Sequence, residues 1–303
     1  MKVIYLNKEQ LYIEDPICVA LGFFDGLHKG HMALVDKVID IAREKGYKKA
    51  LMTFDHHPLY VLGKIEEEHY LTSMSDRIKL LEDKGMDYLF VICFDKEVAS
   101  LSPQDFIDHY LKACHVKHVV CGYDFRFASH NQGDIHTLKE CPDFDVSVID
   151  KVLYKNEKIS SSRIRSILDQ GSIDDMNELL GRHYCICGHV ISGRHIGHTI
   201  GFPTANVDYG HYYLPRQGVY ITKVYIDGQS YMGMCNIGYN PTFDALSKPS
   251  LEVYILDFSE DIYHKKIKVE FYKQLRLEKK FSSCEELIEQ LKKDKDEVKL
   301  YFQ

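Results

Sequence analysis

The sequence has no apolar run long enough to cross a bilayer, and its opening "MKVIYLNKEQ" lacks the pattern of a secretory signal. A soluble cytoplasmic chain is expected, without a membrane partner. There is no C-x-x-C pair, and Cys185 and Cys187 stand too close for zinc-finger spacing. Nine cysteines, an odd number, suit a reduced chain with buried thiols. A positive excess is missing as well. The net charge is −7: residues 1–180 hold 22 Lys+Arg against 30 Asp+Glu, and residues 181–303 hold 16 against 15. Neither half offers the basic footprint that a nucleic-acid partner needs. No internal repeat, low-complexity tract or long linker interrupts the chain.

What is present fits a full globular core. The 303 residues are 45% hydrophobic and 27% charged, enough for one large or two ordinary domains. The first half alternates two periods. "ICVALG" (Ile17–Gly22), "ALMTFD" (Ala50–Asp55), "YLFVICF" (Tyr88–Phe94) and "HVVCG" (His118–Gly122) read as buried strands. Between them lie helical patterns. One places Leu34, Val35, Val38, Ile39 and Ala42 on a single stripe, and another opens with Ser102-Pro103. This is the pattern of an α/β domain with a doubly wound parallel sheet.

Near Gly181 the character changes. "ICGHVISG", "GVYITKVYIDG", "QSYMGMCNIG", "SLEVYILDF" and "KKIKVEFYKQL" follow one another as strands, with a hairpin signal at Asp227-Gly228. An all-β sandwich or barrel is expected. Ser283 and Glu286 can form a capping box for a closing helix that carries Leu287, Ile288 and Leu291.

Three stretches carry chemistry. "GFFDGLHKGH" (Gly22–His31) follows a strand and opens a helix, where ligands of parallel sheets bind. Its glycines allow close backbone approach, and the helix start offers N–H groups to phosphate. His28 and His31, three apart, can share a helix face and donate hydrogen bonds to phosphate oxygens. The stretch lacks the G-K-[ST] of a P-loop, and two histidines alone do not complete a zinc site. "KISSSRIRSIL" (Lys158–Leu168) brings hydroxyls and arginine forks to a helix start; alone it reads as a serine cap with solvated arginines, but beside the first stretch as a phosphate grip. "GFPTANV" (Gly201–Val207) offers the Thr204 hydroxyl and the Asn206 amide, hard neutral ligands for phosphate-bound Mg²⁺, although in isolation a glycine–proline turn explains it. Glu252 is odd by pattern. If Leu251, Val253 and Ile255 face the barrel exterior or a packed helix, Glu252 projects into the barrel mouth as a base; a plain exposed glutamate fits equally.

H-x-G-H followed by S-S-S-R-I-R resembles the nucleotidylyltransferase superfamily. With "TFDHHP" (Thr53–Pro58) and "CGYDFRFA" (Cys121–Ala128) in order, the first half resembles the adenylyltransferase module of prokaryotic bifunctional riboflavin kinase/FAD synthetases. The second half resembles their riboflavin kinase module through "GFPTAN", "LPRQGVY", "CNIGYNPTF", "LEVYILDF" and "LRLEKKF". The resemblance implies a Rossmann-like nucleotidylyltransferase domain over residues 1–180 and a six-stranded Greek-key barrel with a C-terminal helix over residues 181–303. It implies that riboflavin is phosphorylated by ATP to FMN, and that FMN is adenylylated to FAD with release of pyrophosphate.

It also implies roles. His28, His31 and Glu252 are catalytic. Gly22, Phe24, Asp25, Gly26, Gly30, Ser161, Ser162, Arg163, Gly201, Pro203, Thr204 and Asn206 bind nucleotide or phosphate. Asp124, Phe125, Arg126 and Arg276 bind flavin, and Thr204 and Asn206 hold Mg²⁺ with the ATP phosphates. Small molecules are the expected partners. The chain departs from the family pattern at His56, Asn131, His198 and Tyr254. Two other readings of the residues remain: a nucleotidylyltransferase for another phosphate with a non-catalytic barrel, and a flavin-sensing binding protein.

Overall fold

The computed structural model describes residues 1–7, 13–193, 200–238 and 248–303. They form two compact units, Met1–Ser161 and Ser162–Gln303.

The first unit is built on six parallel strands: β1 (Lys2–Leu6), β2 (Ile17–Leu21), β3 (Lys48–Phe54), β4 (Tyr88–Ile92), β5 (Val116–Gly122) and β6 (Asp145–Ile149), in the order β1-β4-β3-β2-β5-β6. The central strand β2 is wholly buried, because both of its faces are covered. Ile17, Val19 and Leu21 join one core with Phe90, Phe106 and Leu111. Cys18 and Ala20 join the other with Val35, Val38 and Leu81. Helix α1 (Lys29–Lys45) buries Leu34, Val35, Val38, Ile41 and Ala42; Ile39 lies at the edge of the stripe and Ile41 takes its place inside. Strand "ICVALG" is second in the chain, after β1. The edge strands β1 and β6 escape the pattern because only part of each is buried.

The neighbours of β2 run to opposite sides, β3 to one and β5 to the other, so the loop after β2 stands at the topological switch point where sheets of this kind take ligands. Short helices frame it: α2 (Pro58–Val61), α3 (Met74–Asp83), α4 (Lys96–Ser100), α5 (Pro103–Phe106), which runs on into a π turn, and α6 (Ile135–Lys139). Ser102 caps α5 ahead of Pro103 as its sequence suggests. A small hairpin, β7 (Leu153–Tyr154) and β8 (Glu157–Lys158), precedes the junction between the units.

From Ser162 onward α7 (Ser161–Gln170), with α8 (Ile173–Leu180), belongs to the second unit together with the barrel. Asn177 explains part of this: its side chain donates to the carbonyl of Phe271 and accepts from the N–H of Tyr184. The barrel strands are β9 (Tyr184–Ile191), β10 (Thr204–Asp208), β11 (Gly218–Ile226), β12 (Gln229–Gly238), β13 (Ser250–Ile255) and β14 (Lys266–Arg276). They close in the order β10-β13-β12-β11-β14-β9. Strand β14 returns beside β11 of the β11-β12-β13 meander, which is a Greek key. Asp227 and Gly228, at φ 48° and 84°, make the two-residue hairpin turn.

Helix α9 (Cys284–Tyr301) lays Val298, Ile288 and Leu291 against Val219, Ile221, Met234 and Tyr254. Ser283 caps it, but Glu286 reaches back to the N–H and hydroxyl of Ser282, so the box closes one residue early. All nine cysteines are free thiols. No helix among the described residues is long and apolar enough to cross a membrane.

Candidate active sites

In the sheet unit the backbone from Gly22 to His28 turns tightly, with Phe24, Gly26 and Leu27 at positive φ. Interior polar groups hold that turn. The Phe23 carbonyl accepts from Thr53 Oγ1 at 2.8 Å and from Arg77 at 3.1 Å. The Asp25 carbonyl accepts from the Ser161 hydroxyl at 2.8 Å. The Asp25 carboxylate is 1% exposed and accepts from the N–H groups of Leu71 and Thr72. Asp25 and Phe24, expected in the nucleotide- and phosphate-binding set, are both buried within the loop. Phe24 also presents its ring to the edge of His31. Arg77 was not among the sequence candidates. Burial pulls its guanidinium below the ordinary value, and nearby Asp25 offsets this.

His28 is not on the helix. It is the extended N-cap residue of α1, and its Nδ1 accepts from the N–H of His31 at 3.2 Å. A neutral His28 therefore carries its hydrogen on Nε2. The two imidazoles stack, with centroids 3.7 Å apart and planes at 15°. The glycine between them has a physical reason. A Cβ on Gly30 would stand 3.1 Å from Cε1 and Nδ1 of His28, where the ring must lie. Gly30→Ala is therefore expected to change the stability of α1 little, its helix-propensity gain of at most about 1 kcal/mol being offset by the weakened His28 cap, while lowering adenylyl transfer roughly 10- to 100-fold by displacing the His28 ring. A thermal melt and an adenylylation assay on the same preparation check that activity falls without a matching loss of stability.

Beside this turn is a cavity of about 440 Å³ at the carboxyl ends of the strands. Gly22, Phe54, Phe125 and Phe127 give it an apolar wall, and Asp124, Arg126 and Asn131 a polar rim. So Asp124, Phe125, Arg126 and the departure at Asn131 share one cavity with Gly22. Asp124 is paired with Lys158 and Arg126 with Asp134. The departure at His56 is met by Glu68, which accepts from His56 Nδ1 at 2.9 Å and from the N–H of His57 at 2.6 Å. Glu68 raises the His56 pKa, countering some desolvation. Ser162 and Arg163 follow Ser161 in the first turn of α7.

In the barrel unit Asn206, Glu252 and Asn236 stand directly opposite one another on β10, β13 and β12. Thr204 pairs with Tyr254 on the same face. That face is the outer one: Tyr254 and Met234 pack toward Val298 of α9. Leu251 and Val253 therefore turn inward, and both are buried. The conditional placement of Glu252 inside the barrel mouth is reversed, since it stands half-buried on the helix-bearing face. Its Oε2 accepts from Thr204 Oγ1 at 3.5 Å and its Oε1 from Ser250 Oγ at 3.2 Å. A Cβ on Gly193 would lie 2.0 Å from the Asn206 amide nitrogen, so glycine there lets Asn206 lie flat against the chain. Gly201 takes φ 80°, turning the chain into Phe202, which packs on Tyr254 at 5.2 Å. Pro203, Thr204 and Val253 line a cavity of about 330 Å³ together with residues 258–263. His198 lies outside the described residues.

Arg276, expected at the flavin, grips Asp294 of α9 through Nε at 2.9 Å and Nη2 at 2.8 Å. Asp294 is 1% exposed and also accepts from Gln290. Asp294→Ala leaves a partly buried guanidinium without this partner, and a loss of about 3 kcal/mol is expected. Denaturant unfolding of the barrel unit measures it. Asn236, Ser250, Arg77 and Glu68 all carry site geometry that the sequence analysis did not single out. Alternation along β12 and β13 could have indicated the first two.

A doubly wound sheet with capped histidines at its switch point, joined to a Greek-key barrel with a hydroxyl-held carboxylate, defines a two-site phosphate-chemistry protein. Residues 12–163 match the family model for FAD synthetase, and residues 180–302 that for riboflavin kinase. Curated relatives described as bifunctional riboflavin kinase/FMN adenylyltransferase include one from Bacillus subtilis, 41% identical over 100% of this chain and 98% of its own. One from Listeria monocytogenes is 40% identical over the same shares, and one from Escherichia coli 33% identical over 95% and 94%. The chain belongs to the bifunctional riboflavin kinase/FMN adenylyltransferase family. A solved structure from Streptococcus pneumoniae, described as a macrolide-efflux protein, is 33% identical with a TM-score of 0.91 over 98% of both chains.

Proposed function

We propose that the chain phosphorylates riboflavin to FMN within residues 181–303 and adenylylates FMN to FAD within residues 1–180, using ATP in both steps, in the cytoplasm. The observation that carries the reading is the convergence of reactive side chains in each unit: the stacked His28 and His31 in one, the Thr204–Glu252 contact in the other.

In the kinase step Glu252 takes the proton of the riboflavin 5′-hydroxyl, whose oxygen attacks the γ-phosphorus of ATP as ADP leaves. The Thr204 hydroxyl and the Asn206 amide oxygen fit Mg²⁺. Both are hard and neutral, and such an ion keeps most of its coordination for phosphate and water. Among the described residues there is no cluster of three His, Cys, Asp or Glu that would hold a metal by protein groups alone. When bound, Mg²⁺ neutralises charge on the phosphates.

In the adenylyl step an FMN phosphate oxygen attacks the α-phosphorus of ATP, and pyrophosphate leaves. The phosphate is already a nucleophile, so positioning and charge stabilisation suffice. His28 Nε2–H, His31 and the first N–H groups of α1 serve the transferring group. Ser161, Ser162 and Arg163 hold the pyrophosphate, and the aromatic cavity with Asp124, Phe125 and Arg126 takes the flavin ring.

Incubation with riboflavin and Mg-ATP, followed by separation of flavins and nucleotides, tests this. FMN, FAD, ADP and pyrophosphate are expected. A parallel incubation supplies FMN in place of riboflavin: pyrophosphate there, with no ADP or FMN from riboflavin, would make the barrel a scaffold, and flavin binding with neither product in either incubation would make the chain a sensor.

A further inference from the structure

We propose that Ser250 is a positioning residue for riboflavin phosphorylation, holding the Glu252 carboxylate in place on β13. The inference rests on the reading of Glu252 as the base of the kinase step.

Ser250 and Glu252 lie two apart on β13, so their side chains stand on the same face. The Ser250 hydroxyl is 3.2 Å from Glu252 Oε1 and also 3.2 Å from the carbonyl oxygen of Gly238, its cross-strand partner. A hydroxyl has one hydrogen and two lone pairs. It can donate to only one of these oxygens at a time, and its place between them ties the carboxylate to the β12 backbone. Glu252 is thereby held in one position while the riboflavin O–H bond breaks, the O–P bond to the γ-phosphorus forms, and the bond from that phosphorus to ADP breaks. Thr204, the other hydroxyl on Glu252, is assigned to Mg²⁺ and the ATP phosphates. Ser250 is thus the hydroxyl dedicated to the base.

Ser250→Ala in the full chain is expected to lower kcat for riboflavin phosphorylation about 10- to 100-fold, the worth of a hydrogen bond to a charged group. The riboflavin KM should hold, because Ser250 acts through Glu252 and not on the flavin. Ser250→Thr keeps the hydroxyl and suits a strand, so it should restore most of the rate. FMN adenylylation by the same preparations serves as the folding control. Combining Ser250→Ala with Glu252→Gln should lower the rate no further than Glu252→Gln alone, since there is then no base to position. Additive losses, or an equal loss in the alanine and threonine variants, would overturn the proposal. A wild-type rate in Ser250→Ala together with a strong loss in Glu252→Gln would sink the Ser250 role alone. A wild-type rate in Glu252→Gln would remove the base and with it the proposal.

Discussion

Glu252→Gln is expected to lower riboflavin phosphorylation by roughly 10²–10⁴-fold, the usual worth of a positioned general base. The substitution keeps the shape of the side chain. A glutamine carbonyl oxygen can still accept from Ser250 Oγ or Thr204 Oγ1, so the register of Asn206, residue 252 and Asn236 across β10, β13 and β12 should persist. What is lost is a group able to take a proton. The deficit should therefore fall on kcat, with the riboflavin KM little changed. Conversion of supplied FMN to FAD should continue, because His28 and His31 belong to the sheet unit. Near-normal FMN formation by the folded variant would show that Glu252 is not the base.

The architecture was legible wherever a single period covered a whole element. Strand β2 is buried on both faces and reads as an unbroken apolar run; β11 and β12 join through Asp227-Gly228, whose positive φ values only a few residues tolerate. The part-buried strands β1 and β6 have too little contrast to stand out. The division between the compact units, at Ser161/Ser162, lies before the change of pattern at Gly181. Two helices carry the intervening residues, and a helix looks the same whether it packs on a sheet or on a barrel. In the sites, residue types were legible and their postures were not. His28 was expected beside His31 on a helix face, but it is the cap that precedes the helix. Glu252 was suspected because it breaks an apolar pattern. Which face it occupies was decided by α9, whose Val298 and Ile288 draw Tyr254 outward and so carry Glu252 with it. Asp25 was expected in the nucleotide- and phosphate-binding set by resemblance alone. Its burial against Leu71 and Thr72 depends on a segment 46 residues away in sequence, which local spacing does not reveal.

Loss of either imidazole is expected to slow FAD synthesis by about 10²–10³-fold, the effect of removing one donor from a preorganised site. The substitutions must be chosen so that the loop survives. His28→Ala would also remove the N-cap acceptor of α1, which alone destabilises by about 1 kcal/mol. His28→Asn is the sharper test. Asparagine is a favoured N-cap, and its oxygen can accept from the N–H of residue 31 as Nδ1 does now. It loses the reach and direction of Nε2–H. If His28 only caps the helix, His28→Asn should make FAD at nearly the normal rate. If Nε2–H serves the transferring phosphoryl group, the rate should fall while ATP binding holds, because the contact strengthens only in the transition state. His31→Ala removes no cap, yet it strips His28 of the ring stacked on it at 3.7 Å. Each loss then includes part of the other's function, so the double variant should fall well short of the product of the two single losses. Independent, multiplicative losses would mean that the stack is incidental. Riboflavin phosphorylation measured on the same preparations should stay intact, and its parallel loss would trace the defect to folding rather than to chemistry.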